Sequence, residues 1–280
     1  MKKQENKWAL VLSGGGARGL AHIGLLKGLE AMEFPKPSLV VGTSMGAIVG
    51  GLYACGITAT ELERFVIEEF RISNYLDSFV FRIDGPVGRV IQTGQSLASL
   101  AGRPGIDPGQ RVLELLEKLT EKKKIEDTKI TFRCNAVDLF SGNEVVFSTG
   151  SVAKAMRASM SVPIFFEPFM YEGMCLVDGG LVDNMPVAIA RKEGFERVIA
   201  MNVNTFNKFK AENLRNGPQV IFRSIESVLH NQEKKHAEAD ITLNTTVNAE
   251  FFSFFKQKEL IELGLKTVNE NIDALNKFFN

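Results

Sequence analysis

The stretch WALVLSGGGARGLAHIGLLKGLEAMEFPKPSLVVGTSMGAIVGGLYAC, residues 8–55, carries one local pattern twice. A short apolar run ends in a glycine-containing loop, and helical spacing follows. Trp8 to Leu12 leads into Ser13-Gly14-Gly15-Gly16, after which Leu20, Ile23, Leu26 and Leu29 recur at helical intervals up to Glu33. Pro35 and Pro37 break that helix. Ser38 to Gly42 then reads as a second strand that meets Thr43-Ser44-Met45-Gly46 and a second apolar helix reaching Cys55. Strands alternating with helices imply right-handed crossovers and a parallel sheet covered on both faces. The expected fold class is therefore α/β, a three-layer sandwich around a central, mainly parallel sheet.

Outward from this stretch, Thr58 to Arg71 has the spacing of an amphipathic helix, whereas Ile72 to Gly105 is too weakly periodic to assign. Pro108 to Lys123 returns to helix, with Asp107 as the expected N-cap. Lys129 to Asp138 and Glu144 to Ser148 flank a Ser-Gly-Asn turn and read as paired strands. A helix is expected from Ser151 to about Met160, then an aromatic stretch from Val162 to Tyr171, and a short strand near Leu176 and Val177. The remainder reads as a strand over Glu196 to Val203, a helix over Val220 to Ala237, a strand over Ile241 to Thr245 and a closing helix over Glu259 to Phe279. No repeat or low-complexity linker interrupts the 280 residues, so one domain over 1–280 is expected.

Composition narrows the partners. Apolar residues make up 45% and charged residues 24%, enough to build a sizeable core. Thirty-three basic residues balance thirty-three acidic ones, which removes the electrostatic footprint of a nucleic-acid binder. Membrane contact, peripheral at most, must then rest on apolar surface; Phe251, Phe252, Phe254 and Phe255 are the candidate patch, with core packing as the alternative. Cys55, Cys134 and Cys175 are widely spaced, with neither a disulfide framework nor a metal-ligand pattern, and each is expected to pack as a small apolar side chain. Trp8 to Leu12 is shorter than a signal-peptide core, so a cytoplasmic protein is expected.

Ser44 is the middle of Gly42-Thr43-Ser44-Met45-Gly46, a G-x-S-x-G pentapeptide between a strand and a helix, as a nucleophile elbow requires. The pentapeptide alone also describes a serine N-cap. Gly14-Gly15-Gly16-Ala17-Arg18-Gly19 offers consecutive backbone N–H groups at a helix start, where developing negative charge is favoured. The same glycines satisfy the dinucleotide fingerprint, but the next strand ends in Gly-Thr-Ser rather than the acidic residue that holds a ribose, so no cofactor is expected. For a base, His230 and His236 stand among polar residues and read as surface, while His22 reads as a packing or hydrogen-bonding residue. Asp178, in Val177-Asp178-Gly179-Gly180, is the alternative base, although a lone D-G-G is a common turn.

Together these motifs resemble the patatin-like phospholipases, including the bacterial proteins related to the neuropathy target esterase catalytic domain. The agreement runs through Gly14–Gly19, Ala21–Gly24, Gly42–Gly46, Ala158–Pro163 and Asp178–Pro186, in that order, and covers roughly residues 8 to 205. The resemblance implies a patatin-like fold and a Ser-Asp dyad: Ser44 attacks a lipid ester carbonyl, Asp178 takes its proton, and Gly14, Gly15 and Gly16 stabilise the oxyanion, with Arg18 either orienting that loop or meeting a phosphate head group. It implies a phospholipid or lysophospholipid ester as substrate, an acyl-enzyme, and neither metal nor cofactor. Asp183 is the rival base. Phe165, Phe166, Phe169 and Met170 are expected at the pocket mouth, in a lid, or in the core. Three other readings stay open: an acyltransferase, a histidine-containing triad esterase, and a non-catalytic lipid-binding relative.

Overall fold

The computed structural model describes residues 7–77, 104–204, 238–247 and 254–280, with positions 220, 223, 224 and 227. Apart from those four positions, the helix expected over 220–237 lies outside the described residues, as do His230, His236, Phe251 and Phe252.

In chain order the strands are β1 (Ala9–Leu12), β2 (Leu39–Gly42), β3 (Gly105–Asp107), β4 (Thr131–Asp138), β5 (Glu144–Phe147), β6 (Ile164–Phe166), β7 (Phe169–Tyr171), β8 (Met174–Asp178), β9 (Val198–Asn202) and β10 (Ile241–Asn244). The helices are α1 (Ala21–Ala31), α2 (Met45–Ala54), α3 (Ala59–Arg64), α4 (Ile72–Tyr75), α5 (Gln110–Leu119), α6 (Val152–Ser159), α7 (Val187–Lys192), α8 (Gln257–Glu270) and α9 (Ile272–Phe279). The central sheet runs β10-β9-β1-β2-β4-β8-β7, with β5 also on β4; β3 and β6 pair separately. Pairing is parallel from β10 to β4 and antiparallel for β5, β8 and β7.

Every residue of β1 is buried, which explains its uninterrupted apolar run. Leu10 and Leu12 join the larger core with Leu25 and Leu26 of α1 and Ala47 of α2. Ala9 and Val11 face a second core built with Val187, Ile189 and Ala190 of α7. These two apolar faces are the two seams of the expected sandwich. On the larger seam α1 lies against α8 with their backbones touching, because a Cβ on Gly24 would strike the backbone of Ile261 and one on Gly264 the backbone of Ala21.

Several boundaries differ from the sequence expectation. The helix expected from Thr58 is opened by a Thr58–Glu61 capping box but gives way after Arg64 to a wider turn over Phe65–Glu69. Asp107 does not cap α5. It ends β3 and accepts the Gly109 N–H at 2.7 Å, while Asp77 Oδ2 receives the Gln110 and Arg111 N–H groups at 2.8 and 3.1 Å, so the cap comes from a residue 33 positions away. The aromatic stretch after Val162 forms two strands, and the closing helix breaks at Asn271.

The register at β4 sets the site. Cys134 pairs with Gly42 of β2 and with Phe147 of β5, so those two strands occupy opposite edges. Ala136 pairs with Val145 of β5 and with Asp178 of β8. β2 and β8 therefore share one edge of β4, running toward each other, and their C-terminal ends, Gly42 and Asp178, meet two β4 residues apart.

Candidate active site

Ser44 lies where β2 turns into α2, with φ 54° and ψ −119°, a left-handed backbone that a non-glycine residue adopts only under strain. The turn closes because its flanks are bare: a Cβ on Gly42 would strike the Gly46 backbone, and one on Gly46 the carbonyls of Leu12 and Ser13. The Ser44 N–H donates to Ser159 Oγ at 2.9 Å, and the Ser44 carbonyl accepts the Ile48 N–H at 3.1 Å. Ser159 thus holds the elbow from α6, a role that its place in the matching motif did not reveal.

Asp178 closes β8. Its own N–H donates to Ser161 O at 3.0 Å, and its Oδ1 accepts the Gly180 N–H at 2.8 Å. Burial pushes the carboxyl's pKa up to about 6, against smaller opposing effects of the Ser44 hydroxyl and the Gly180 N–H. The serine hydroxyl is thus near enough to favour the carboxylate, yet Oδ2 is buried with no completed hydrogen bond among the described residues. A loose contact of this kind is common between catalytic groups before substrate tightens them.

A polar clamp joins the two halves. Thr43 Oγ1 donates to Asn135 Oδ1 at 2.8 Å and to Asp183 O at 3.2 Å. Asn135 Nδ2 donates to Asp183 O at 2.9 Å and Glu144 Oε1 at 3.0 Å. Asn135 is fully buried on β4, between the ends of β2 and β8. Its sequence signal is one carboxamide inside the run Thr131–Asp138, with nothing local to mark what it faces. Asp183, the rival base, uses its carbonyl in this clamp and its Oδ1 to accept the Met185 N–H at 3.0 Å.

The glycine loop lies beside the elbow. Gly14 N–H donates to Asn184 O at 3.1 Å, so this member of the expected donor set is already engaged. Gly15 and Gly16 N–H groups have no backbone acceptor among the described residues outside the short helical turn that Gly16 begins, and Met45, first residue of α2, has an N–H that the helix itself cannot satisfy. Arg18 donates to Asn204 Oδ1 at 3.2 Å, and Asn204 in turn donates to the Gly14 carbonyl. The guanidinium braces the loop through Asn204.

His22 is fully buried; its Nε2 is 2.8 Å from the Ser13 carbonyl and its Nδ1 3.2 Å from Met201 Sδ. Burial pushes its pKa down to about 4. The imidazole is a neutral packing group with its proton held by the Ser13 carbonyl, in keeping with its sequence reading. Phe166 and Phe169 pack over the buried Arg157 guanidinium at 5.2 and 5.5 Å, whereas Met170 is largely exposed. Cys55 and Cys134 are buried and Cys175 half-buried, and no cluster suited to a metal ion occurs among the described residues.

Among the described residues, a strained serine elbow on a mainly parallel α/β sheet thus lies beside a buried aspartate. Patatin-like phospholipase matches residues 10–191, and the chain belongs to that family. It is 32% identical over 197 residues to lysophospholipase NTE1 of Kluyveromyces lactis, covering 70% of this chain and 12% of that protein. It is 31% identical over 196 residues to an NTE-family protein of Mycobacterium bovis, covering 70% of this chain and 49% of that one. The chain thus spans about an eighth of the yeast relative's length and about half of the mycobacterial relative's. In fold it is similar to the crystal structure of VipD from Legionella pneumophila, with TM-score 0.55 and 18% identity over 96% of this chain and 67% of that one.

Proposed function

We propose that the chain hydrolyses carboxylic esters of phospholipids or lysophospholipids through a Ser44–Asp178 dyad. The observation that carries the reading is the meeting of two strand ends on one edge of β4, which brings a strained serine against a buried carboxylate of raised proton affinity. Free aspartate is a weak base for a hydroxyl; withdrawal from water strengthens it. Ser44 Oγ attacks the ester carbonyl as its proton passes to Asp178. The N–H groups of Gly15, Gly16 and Met45 stabilise the oxyanion, and Arg18 acts by bracing the loop. Collapse releases the alcohol, which takes the proton from Asp178, and leaves an acyl-serine for water to cleave. Family membership and the lysophospholipase name of the yeast relative support a lipid acyl substrate.

A fluorophosphonate probe tests this directly: the adduct is expected on Ser44 alone, and labelling at another serine, or none, overturns the assignment.

A further inference from the structure

Arg157 lies on α6, 1% exposed, and the chemistry above gives its charge no part. Burial pushes its pKa down to about 10, with Asp107, Glu167 and Asp77 acting the other way, so the guanidinium is charged at neutral pH. An apolar side chain of similar volume would fill the same space without the cost of withdrawing a charge from water. What the arginine adds is a planar fork of N–H donors with fixed directions.

The arms of that fork end on different segments. Nε donates to Gly109 O at 3.2 Å, and Nη2 donates to Pro108 O at 2.8 Å and to Glu167 O at 3.2 Å. Gly109 leaves room for this approach, since a Cβ there would stand 2.5 Å from Nε. Nη1 donates to Ser161 Oγ at 2.6 Å, and that hydroxyl donates to Arg157 O at 2.8 Å, which closes the end of α6 on itself. The turn closed in this way, Ser159 to Ser161, touches both halves of the proposed dyad. Ser159 Oγ accepts the Ser44 N–H at 2.9 Å, and Ser161 O accepts the Asp178 N–H at 3.0 Å.

We propose that Arg157 is a positioning residue for the dyad. Its guanidinium anchors the Ser159–Ser161 turn to the Pro108–Gly109 bend and to the Glu167 carbonyl, and the turn sets how far the Ser44 backbone stands from that of Asp178. Arg157 touches neither reacting atom and carries no proton in the reaction. Asn135 holds the same two strand ends through Thr43 and the Asp183 carbonyl, so the pair is fixed from two sides. A lysine at 157 would keep the charge but gather its donors on one atom, which cannot serve four acceptors in fixed directions. The inference rests on the dyad reading above.

Arg157→Lys and Ser161→Ala, alone and together, test it, with the folded fraction taken from circular dichroism. Per folded molecule, Arg157→Lys is expected to lower nitrophenyl-ester kcat and the fluorophosphonate labelling rate together by about 10- to 100-fold, with KM within about threefold, because a displacement of about 1 Å between reacting groups costs up to about 100-fold. Ser161→Ala should lower kcat about 3- to 10-fold, and the double variant should fall no further than Arg157→Lys alone, because the two residues act through one contact. A purely structural arginine would move the urea midpoint and leave kcat per folded molecule unchanged. That result, a change in KM alone, or losses that multiply in the double variant overturns the proposal. If Arg157→Lys does not fold, Ser161→Ala decides by the same kcat and KM criteria. If wild type itself forms no Ser44 adduct, the dyad reading fails, and the role of Arg157 with it.

Discussion

The ends of β2 and β8 deliver their side chains to the same place by different means. Ser44 is placed by its neighbours in sequence: an apolar strand, two glycines that let the turn close, and a helix that starts at Met45. Asp178 is placed by register, since only the pairing of β8 with β4 from Ala136 onward stops it short of β2. Asn135, on β4 between the two ends, ties one to the other. The proposed nucleophile is thus a local feature and its proposed base a tertiary one, and substitutions should separate them.

The largest effect is expected at the local end. Ser44→Ala should lower esterase kcat by about 10⁴-fold or more without loss of fold, because acyl transfer has no other nucleophile. Circular dichroism alongside a nitrophenyl ester assay checks both halves of that statement. At the tertiary end, Asp178→Asn keeps the shape and the Gly180 contact but removes the basicity, and kcat should fall about 100-fold or more. Between them, Asn135→Leu should cost about 10- to 100-fold in kcat, through a misplaced elbow, with both Thr43 and the Asp183 carbonyl losing a partner. If that variant retained full activity, the idea that the clamp sets the distance between the two ends would be wrong.

A further effect concerns stability and has the opposite sign. Burial raises the folded Asp178 pKa from 3.8 to about 6, so the folded state prefers the protonated form. Stability from this group is complete below pH 3.8 and is lost as pH rises through about 6. Asp178→Asn escapes that loss. Its stability relative to wild type should be unchanged near pH 4 and greater by up to about 3 kcal/mol at pH 8, a difference that denaturant titration at the two pH values would reveal. An equal difference at both would remove burial as the source of the base's strength.

How much of this could be read from sequence follows the same division. Both strand–loop–helix units, Ser44 and the glycine loop were legible because each rests on residues within a few positions of one another. Asp178 was legible only through the motif it shares with a family, since a turn of Asp-Gly-Gly says nothing about what faces it. The Asn135 clamp, the Asp77 cap on α5 and the Asn204 brace were not legible, because each joins residues 30 or more positions apart that meet only in the folded chain. Gly14 shows the limit within the loop itself: three glycines offered three donors, and only the fold shows that one is taken by Asn184.

The proposed chemistry depends most on an aspartate working without a histidine. His22 is excluded as the base by its burial and its bond to Ser13, which leaves His230 and His236. The direct measurement is kcat/KM against pH for the double variant His230→Ala, His236→Ala. The dyad predicts a plateau at no less than a tenth of wild type, with the acid limb still near pH 6, where Asp178 ionises. A plateau as low as that of Ser44→Ala, or an acid limb that disappears with the histidines, would contradict it.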